Sequence, residues 1–366
     1  GELEGREDPA TQLEGVIDLI NGEIYRLAPR WDAAEEEFGA AGETSNPADL
    51  LRWIVSGPGA PDPRDPETEI DDAALGRWAE LCHERGWRCD LELRAGAGQD
   101  EIMRQVAQCG GTVPIEVDGR LSVAIDDVQP AAVQLFTPKN SWGFRGQRRY
   151  AAATHALRLQ FNNAEKDFVR DEMLVFYPGF NEGNADGGKI VTRPLLGKTD
   201  PLEVRESGLR IIAEDIIRVE DYSWRCDWEN LACGLFSRVA VAHFVIAVGR
   251  RAARVTARDN DGGAIVGVTL DETVTQTAGD TYGLAVRRLT DEGFVIDTHA
   301  LANLENGKGR VVEFVEPLAE DAIQVGDLVS FGDLGIETLD ASVRGITRAS
   351  ALEAEISAAP YDPGLY

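Results

Sequence analysis

The spacing of apolar residues follows a helical period in the first part of the chain and a strand period later. Between residues 46 and 127, apolar residues three or four positions apart predict three amphipathic helices, in SNPADLLRWIV, DDAALGRWAELCHERG and QDEIMRQVAQCGG. Ser45 or Asn46 is placed to cap the first helix before Pro47, and Gly86 is placed to end the second. The residues predicted to be buried are Leu50, Leu51 and Ile54, then Leu75, Trp78, Ala79 and Cys82, then Ile102, Met103, Val106 and Cys109.

Two further segments complete this first unit. WRCDLEL alternates apolar and charged residues, which predicts a strand between the second and third helices. TVPIEVDGRLSVAI contains two apolar runs joined by Asp118-Gly119, a dipeptide that favours a two-residue hairpin turn. Residues 46–127 are therefore predicted to form a small α/β domain in the order α-α-β-α-β-β.

The first 45 residues give a less definite pattern. LEGVIDLINGEIYRLAPRW suits either a helix or a pair of strands, and DAAEEEFGAAGETS suits either an acidic loop or a short helix. We treat residues 1–45 as an N-terminal extension or as the edge of the larger fold.

Beyond Pro130 the chain becomes a series of short alternating runs separated by turns. Such runs, with a turn about every 8 to 12 residues, predict a barrel or a sandwich. We divide this part into a β-rich domain with one capped helix, residues 128–230, and a β-barrel or sandwich domain, residues 231–366. The predicted fold class is thus α+β and β-rich, with β-barrel or sandwich domains and a small α/β domain.

The capped helix and the segment after it contain the most suggestive local pattern. In TDPLEVRESGLRIIAEDIIRVE, Asp200, Pro201 and Glu203 predict the helix start, and the predicted buried stripe is Leu209, Ile212, Ala213, Ile216 and Ile217. In DYSWRCDWEN, the residues Tyr222, Trp224, Cys226 and Trp228 alternate with Ser223, Arg225, Asp227 and Glu229, which predicts a strand with one aromatic and one charged face. Asp227 and Glu229 on a solvated face lack the distinct environments that an acid–base pair needs. We therefore do not predict them to be catalytic.

Composition narrows the classes of function. The chain has 366 residues, with 64 Asp plus Glu against 36 Lys plus Arg, which gives a net charge of −28. Such a charge repels phosphate backbones and argues against sequence-specific binding of nucleic acid. We expect no membrane span and no signal peptide, since neither pattern is visible. The five cysteines, Cys82, Cys89, Cys109, Cys226 and Cys233, are predicted to be free structural thiols in a reducing compartment.

Other candidate chemistry is weak. His83, His155, His243 and His299 are widely separated, and DNDGGA, Asp259 to Ala264, is predicted to be a hairpin turn rather than a calcium loop. The motifs of metalloproteases, serine hydrolases and nucleotide-binding proteins are absent from the sequence. We accordingly predict no catalytic, cofactor-binding or metal-ligating residues, and we do not expect an enzyme.

One long apolar segment, LACGLFSRVAVAHFVIAVG, runs from Leu231 to Gly249. Its β-branched residues, together with Arg238 and His243, predict a pair of strands covered on both sides in a core or a subunit interface. Contact with a membrane is the alternative, disfavoured by the cost of a charge in mid-span.

The order of several motifs resembles a known family. SNPADLLRWIVSGP, LGRWAELCHERGW, EIMRQVAQCGG, DGRLSVAIDD, QLFTPKNSW, FNNAEKDFVRDEMLVFYPG, SGLRIIAEDIIRVEDYSWRCDWENL and ISAAPYDPGLY follow one another along the chain. From about residue 13 to the C-terminus, this order is similar to the hub portion of phage tail tip proteins, the host specificity or tip attachment protein J family.

The resemblance implies a structural role in a virion. It implies a baseplate-hub-like fold with duplicated β-barrel domains, a homotrimer at the end of the tail tube, and contacts with the tube and other tail tip proteins. It also implies indirect contact with a host receptor, passage of phage DNA through the lumen, and residence in the host cytoplasm before assembly. Members of the family continue into fibronectin-like and receptor-binding regions, so this chain is expected to be a hub fragment or a shortened relative.

Three further ideas remain open at this stage. Excess carboxylates in DAAEEEFG or EDPATQLEG are hypothesised to face the lumen, where they would repel DNA. A tail-associated cell-wall hydrolase is one alternative function. A receptor- or glycan-binding module is another, suggested by the seven tryptophans, although Trp53, Trp78, Trp87, Trp224 and Trp228 are predicted to be buried.

Overall fold

The structure is a computed structural model that describes residues 26–91, 98–149, 154–184, 188–243, 251–291, 293–302, 307–350 and 352–366. Predictions for residues 1–25, including the loop EDPATQLEG, for residues 92–93 and for residues 244–249 lie outside this part. In chain order the elements are β1 (Leu27–Asp32), β2 (Glu37–Glu43), α1 (Pro47–Ser56), α2 (Pro66–Glu69), α3 (Asp72–Glu84), α4 (Gln99–Cys109), β3 (Thr112–Val117), β4 (Arg120–Ile125), β5 (Leu135–Phe136), β6 (Ser141–Arg148), β7 (Ala156–Asn163), β8 (Val169–Phe176), β9 (Ile190–Pro194), α5 (Pro201–Ile217), β10 (Glu220–Cys226), β11 (Arg238–Val241), β12 (Arg251–Asp261), β13 (Ala264–Gln276), β14 (Tyr282–Thr290), β15 (Gly293–Leu301), β16 (Gly307–Leu318), β17 (Leu328–Asp333), β18 (Leu339–Arg348) and β19 (Ala354–Pro360).

The three predicted helices of the first unit are confirmed as α1, α3 and α4. The Asn46 side chain caps α1 by accepting a hydrogen bond from the Ala48 N–H at 3.0 Å. In α3 all four residues predicted to be buried are buried, and Gly86 follows the helix with a positive φ of 64°. The hairpin of β3 and β4 turns at Asp118 and Gly119, whose φ values of 51° and 79° are those of a type I′ turn.

Two features of the first unit differ from expectation. Of the ambiguous residues before Asn46, those from Leu27 to Glu43 form the β1–β2 hairpin, which packs on α1 and α3 through Trp31 and Phe38. The strand predicted in WRCDLEL is not found over the described residues 87–91, although Cys89 is buried as the alternation predicted. The Cys89 N–H bonds to the Ser45 carbonyl and the Asp90 N–H to the Gly197 carbonyl, so this backbone joins two separate segments instead of one neighbouring strand.

The second part of the chain is β-rich, as predicted. Six strands form a curled sheet in the order β5-β11-β18-β19-β10-β6, and six others close into a barrel in the order β12-β13-β16-β15-β14-β17. The strands predicted from Ala253 onward correspond to β12–β19, and the DNDGGA segment is the hairpin turn between β12 and β13, at Gly262 and Gly263. The barrel has its own core, which includes Leu284, Val312 and Phe331.

Two units are inserted into the curled sheet. The barrel lies between β11 and β18, whose residues Val241 and Leu339 are direct register partners. The three-stranded sheet β8-β7-β9 and helix α5 lie between β6 and β10, where Arg148 pairs with Glu220. The curled sheet therefore takes strands from both sides of residue 230, while the four-domain division of the sequence stays a prediction.

The buried face of α5 differs from the predicted stripe. Val204, Gly208 and Ile212 are buried against the β7–β8 sheet, whereas Leu209 and Ile216 are exposed. A Cβ atom at Gly208 would lie 2.6 Å from Cδ1 of Leu159, so the helix approaches the sheet where it has no side chain. This close approach at Gly208 sets the helix rotation, and it leaves part of the predicted stripe facing outward.

The strand predicted in DYSWRCDWEN is shorter than expected. Tyr222, Trp224 and Cys226 are buried in β10 as predicted, but β10 ends at Cys226. Its neighbours stop at the same level, because Cys226 pairs with Ser141, the first residue of β6, and with Ala354, the first residue of β19. Asp227 therefore lies outside the strand and Glu229 in a 3-10 turn, Trp228–Ala232, and the Trp228 side chain is 63% exposed instead of buried.

Candidate assembly surface

The two edge strands of the curled sheet, β5 and β6, are consecutive in the chain. A flat six-stranded sheet would hold its edges about 24 Å apart at about 4.8 Å per strand, which is more than the roughly 18 Å that five peptide steps can span. The turn between them is tight, with the Ser141 N–H bonded to the Thr137 carbonyl at 2.9 Å. The sheet therefore curls until its edges meet at this turn, and we call the line between β5 and β6 the seam.

The seam is closed at the end near Ser141. The Ser141 hydroxyl donates to the Thr137 carbonyl at 2.7 Å, and its oxygen lies 2.9 Å from Nε2 of His243, which follows β11. The imidazole stacks on Phe144 with the ring centroids 4.8 Å apart. Burial lowers the pKa of His243 to about 4, so the ring is neutral near pH 7 and its Nε2–H donates to Ser141.

The Ser141–His243 pair has the residue types of a hydrolase site but not the arrangement. A general base takes the proton of the serine hydroxyl, whereas this proton is donated to a main-chain carbonyl. Both side chains are also buried. The pair is therefore suited to holding the seam together.

Farther along the seam, no described strand pairs with the outer edge of β6. β5 has two residues and β6 has eight, so β5 is too short to lie beside the whole of β6 across the seam. Within the described residues β6 pairs only with β10. Trp142 and Arg145 on β6 are exposed. A long strand with an unpaired edge is a template for a further strand.

A buried charge cluster joins four parts of the chain. Asp126, after β4, accepts two hydrogen bonds from Arg218 at 2.7 and 2.9 Å, one from Arg344 at 3.1 Å and one from the Tyr366 hydroxyl at 2.7 Å. Burial opposes the charge of Asp126, but the hydrogen bonds from Arg218 and Tyr366 outweigh it and hold the pKa of this carboxyl below its ordinary value. We call this set the Asp126 cluster, and it fixes the α/β unit, α5, the curled sheet and the C-terminal turn to one another.

The barrel is attached beside the closed end of the seam. Lys139, in the turn between β5 and β6, contacts Asp271 at 2.8 Å and Glu272 at 3.2 Å on β13. Arg287 of β14 donates to the side chain of Gln134 at 2.9 Å. The turn that brings the two sheet edges together therefore also carries contacts to the barrel.

A second exposed feature lies beside the β18–β19 turn. Trp228 and Leu231 border a shallow cavity of about 250 Å³, together with Asn230, Arg348, Ser350, Leu352 and Glu353. Sequence reasoning missed this site because the alternation of DYSWRCDWEN does not show where the neighbouring strands end. The Asn230 amide, which donates to the Asp227 carbonyl, marks the turn that ends the alternation.

The other residues considered from sequence form no reactive cluster with the histidines, although the thiols of Cys89 and Cys109 contact each other. His155 accepts a hydrogen bond from the Lys189 N–H at 2.6 Å, His299 packs edge-on against Phe314, and His83 lies in α3. All five cysteines are free, and burial raises the pKa of Cys226 and of Cys233 to about 12. Within the described ranges, His, Cys, Asp and Glu side chains form no group of three or more arranged for a metal ion. No helix in the same ranges is long and apolar enough to cross a membrane.

The apolar segment from Leu231 to Gly249 is only partly described. Val239, Ala240 and Val241 are buried in β11, which pairs with β5 on one side and β18 on the other. Leu231 is 68% exposed in the 3-10 turn, so it is not part of a core of this chain, and its burial in a subunit interface stays a prediction. The 3-10 turn that contains Leu231 follows the end of β10. The segment first joins the sheet at Arg238, where β11 begins.

No family model and no curated protein matches the chain. Among solved structures, it is similar to a chain in the virion of a native gene transfer agent particle, with 12% identity, a TM-score of 0.43 and coverage of 80% of this chain and 48% of that one. It is also similar to a tail protein from Neisseria meningitidis MC58, with 8% identity, a TM-score of 0.38 and coverage of 80% and 68%. A 43 kDa tail protein of prophage MuSo2 from Shewanella oneidensis shows 9% identity, a TM-score of 0.33 and coverage of 79% and 62%. The chain thus spans about half the length of the gene transfer agent chain.

Proposed function

We propose that this chain is a structural component of a phage or prophage tail, where it forms a hub at the tail tip. The observation that carries the proposal is the outer edge of β6, which has no partner strand among the described residues. Such an edge is completed in an assembly by a neighbouring subunit. The order of motifs that resembles the tip attachment protein J family supports the same role.

The connections between the units suit a part that bears load. The Asp126 cluster holds the α/β unit, α5 and the curled sheet together through a buried carboxylate and two guanidinium groups. A carboxylate that accepts hydrogen bonds from several separate segments favours one relative arrangement of the parts that it joins. A tail hub needs such a fixed arrangement because the tube and the host-recognition parts attach to different domains.

The partners in this proposal are further copies of the chain, as a homotrimer, together with the tail tube and other tail tip proteins. The net charge of −28 suits a channel through which DNA passes without binding. The loop DAAEEEFG is the turn of the β1–β2 hairpin, and Glu35, Glu36 and Glu37 are exposed there. We place these carboxylates at the lumen, with the protein in the virion after assembly and in the host cytoplasm before it.

The location of the chain in particles tests the proposal. Particles from a producing strain are purified, digested and analysed by mass spectrometry, and the chain is located by immunogold electron microscopy. We expect label at the distal end of the tail, and tails that lack a tip when the gene is deleted. Particles that contain no copy of the chain would overturn the proposal.

A second candidate function, binding of a host-surface glycan, is favoured by the exposed Trp228 beside the 250 Å³ cavity. An exposed indole offers an apolar face, and Arg348 and Ser350 line the same cavity with polar groups. A glycan array tests this function, with Trp228→Ala as the variant and Trp142→Ala as a control at another exposed tryptophan. Binding that is lost only in Trp228→Ala supports it, and an array without signal for the unmodified chain excludes it for the glycans present.

The same preparation tests for a hydrolase. We expect no clearing of peptidoglycan in a muralytic assay, because the Ser141 hydroxyl and His243 are buried and hydrogen-bonded to each other. Clearing by the purified chain would favour a tail-associated cell-wall hydrolase.

A further inference from the structure

Helix α5 exposes an apolar stripe next to the side that is buried against its sheet. Leu202, Leu209 and Ile216 are 73%, 42% and 48% exposed, although Val204 and Ile212 of the same helix are buried. A helix that is apolar on two sides is normally covered on both. The outer side of α5 therefore has the character of an interface.

The three residues of this α5 stripe are seven positions apart. At about 100° per residue they lie within about 40° of one another, along about 21 Å of helix. A seven-residue repeat drifts by about 20° per heptad, which helices in a gently supercoiled group accommodate. The spacing thus suits packing against other helices that cross α5 at a small angle.

The charges beside the α5 stripe indicate what covers it. Arg205 lies on one side of the stripe and Glu206 on the other, at nearly the same height, and both are exposed. Neither side chain forms an ion pair or hydrogen bond with another described residue. In copies related by rotation about an axis parallel to the helix, the Arg205 side of one α5 meets the Glu206 side of the next. In an antiparallel pair, Arg205 and Glu206 would lie opposite the C-terminal half of the other helix and could not pair with each other, so a parallel arrangement is favoured.

The net charge of the chain strengthens this choice of surface. A net charge of −28 repels a second copy over most of the surface. Directly beside the stripe, however, the charge of Arg205 offsets that of Glu206, and Arg210 lies 3.8 Å from Glu214. The stripe is therefore an apolar and locally neutral region on a strongly acidic molecule.

We propose that α5 is a self-association surface, through which the stripes of parallel α5 helices from different copies of the chain pack together around a rotation axis. Arg205 of each copy pairs with Glu206 of its neighbour. The number of copies rests on the proposed hub. The contact between them is formed by the α5 stripe together with Arg205 and Glu206.

Sedimentation velocity and light scattering on the full chain test the surface. We expect the unmodified chain to associate, and Leu209→Glu to raise the dissociation constant about tenfold or more, because it places a charge in the centre of the stripe. Leu289→Glu is the matched control, since Leu289 is 69% exposed on β14 of the barrel and the substitution adds the same charge. Far-UV circular dichroism of each variant checks that the fold is unchanged.

Charge exchange tests the pairing and its direction. Arg205→Glu and Glu206→Arg should each weaken association, and the double variant should restore it, because each copy then presents the exchanged pair to its neighbour. A monomeric unmodified chain, equal effects of Leu209→Glu and Leu289→Glu, or failure of the double variant to restore association would overturn the inference. A monomer would leave the tail role standing, since that role is tested by location in particles. If the chain associates through α5 but is absent from particles, the self-association surface stands and the tail role is wrong.

Discussion

His243 connects burial, protonation and the closure of the seam. Its pKa is lowered to about 4 by burial, whereas an exposed histidine in the unfolded chain has a pKa of about 6.5. Between these values the unfolded chain binds a proton that the native chain does not. The free energy of unfolding therefore falls as the pH is lowered through this range, and the contribution of His243 is about 2 kcal/mol between pH 7 and pH 5.

Urea unfolding of the native chain and of His243→Gln at pH 7 and pH 5 measures this contribution. We expect the unmodified chain to lose about 2 kcal/mol more than the variant on going to pH 5. The glutamine keeps an N–H donor for Ser141 and removes the titrating group. Equal losses in the two proteins would show that His243 is not the group responsible.

Asp126 is the residue whose loss should be most costly outside the apolar cores. Asp126→Asn removes the charge that compensates Arg218, which is 5% exposed, so we expect a loss of about 3–5 kcal/mol in the free energy of unfolding. Asp221→Asn is the control, because the Arg149–Asp221 pair at 2.9 Å is more than half exposed and should contribute about 1 kcal/mol or less. Chemical denaturation compares the two variants, and similar losses would contradict the role of the Asp126 cluster.

At the level of elements, Gly208 decides which face of α5 is buried. Glycine to alanine within a helix normally stabilises by about 1 kcal/mol. At Gly208 a new Cβ would meet Leu159 at 2.6 Å and Val175 at 2.8 Å, so we expect Gly208→Ala to destabilise by about 1–3 kcal/mol. Thermal unfolding measures the sign, and Arg77→Ala at an exposed position of α3 should change little. A stabilised Gly208→Ala would mean that α5 does not approach the sheet so closely.

Local patterns predicted most elements and the buried side of α3, but not the buried side of α5. Strands β12–β19 were predictable because alternation and glycine turns are local signals, and helix α3 because it has one apolar side. The burial of α5 depends on Leu159 and Val175, about 30 to 50 positions earlier in the chain, and no helical period contains that information. The exposure of Trp228 depends on where β6 and β19 begin. The seam was missed because β5 has two residues and QLFTPKNSW shows no alternation.

At the level of the whole molecule, the barrel and the curled sheet have separate cores. Phe331 is buried in the barrel and Ile356 in the curled sheet. We expect two calorimetric transitions, one for each unit. Phe331→Ala should lower the free energy of unfolding of the barrel by about 3–5 kcal/mol and so shift only the transition of the barrel to lower temperature. Ile356→Ala should lower only the other transition. A single transition that shifts equally in both variants would show that the units unfold together.

The seam also has a mechanical consequence. A fully closed ring of strands can widen only by breaking backbone hydrogen bonds between strands. A ring that is joined at one end of its seam can bend at that joint. The Thr137–Ser141 turn and the Ser141–His243 bond form this joint, which acts as a hinge. Beyond the hinge, β6 pairs with β10 and with no other described strand. The interior of the curled sheet is filled by its own core, in which Phe136 and Trp224 are buried, so movement about this hinge is confined to the seam and the paired strands keep their partners.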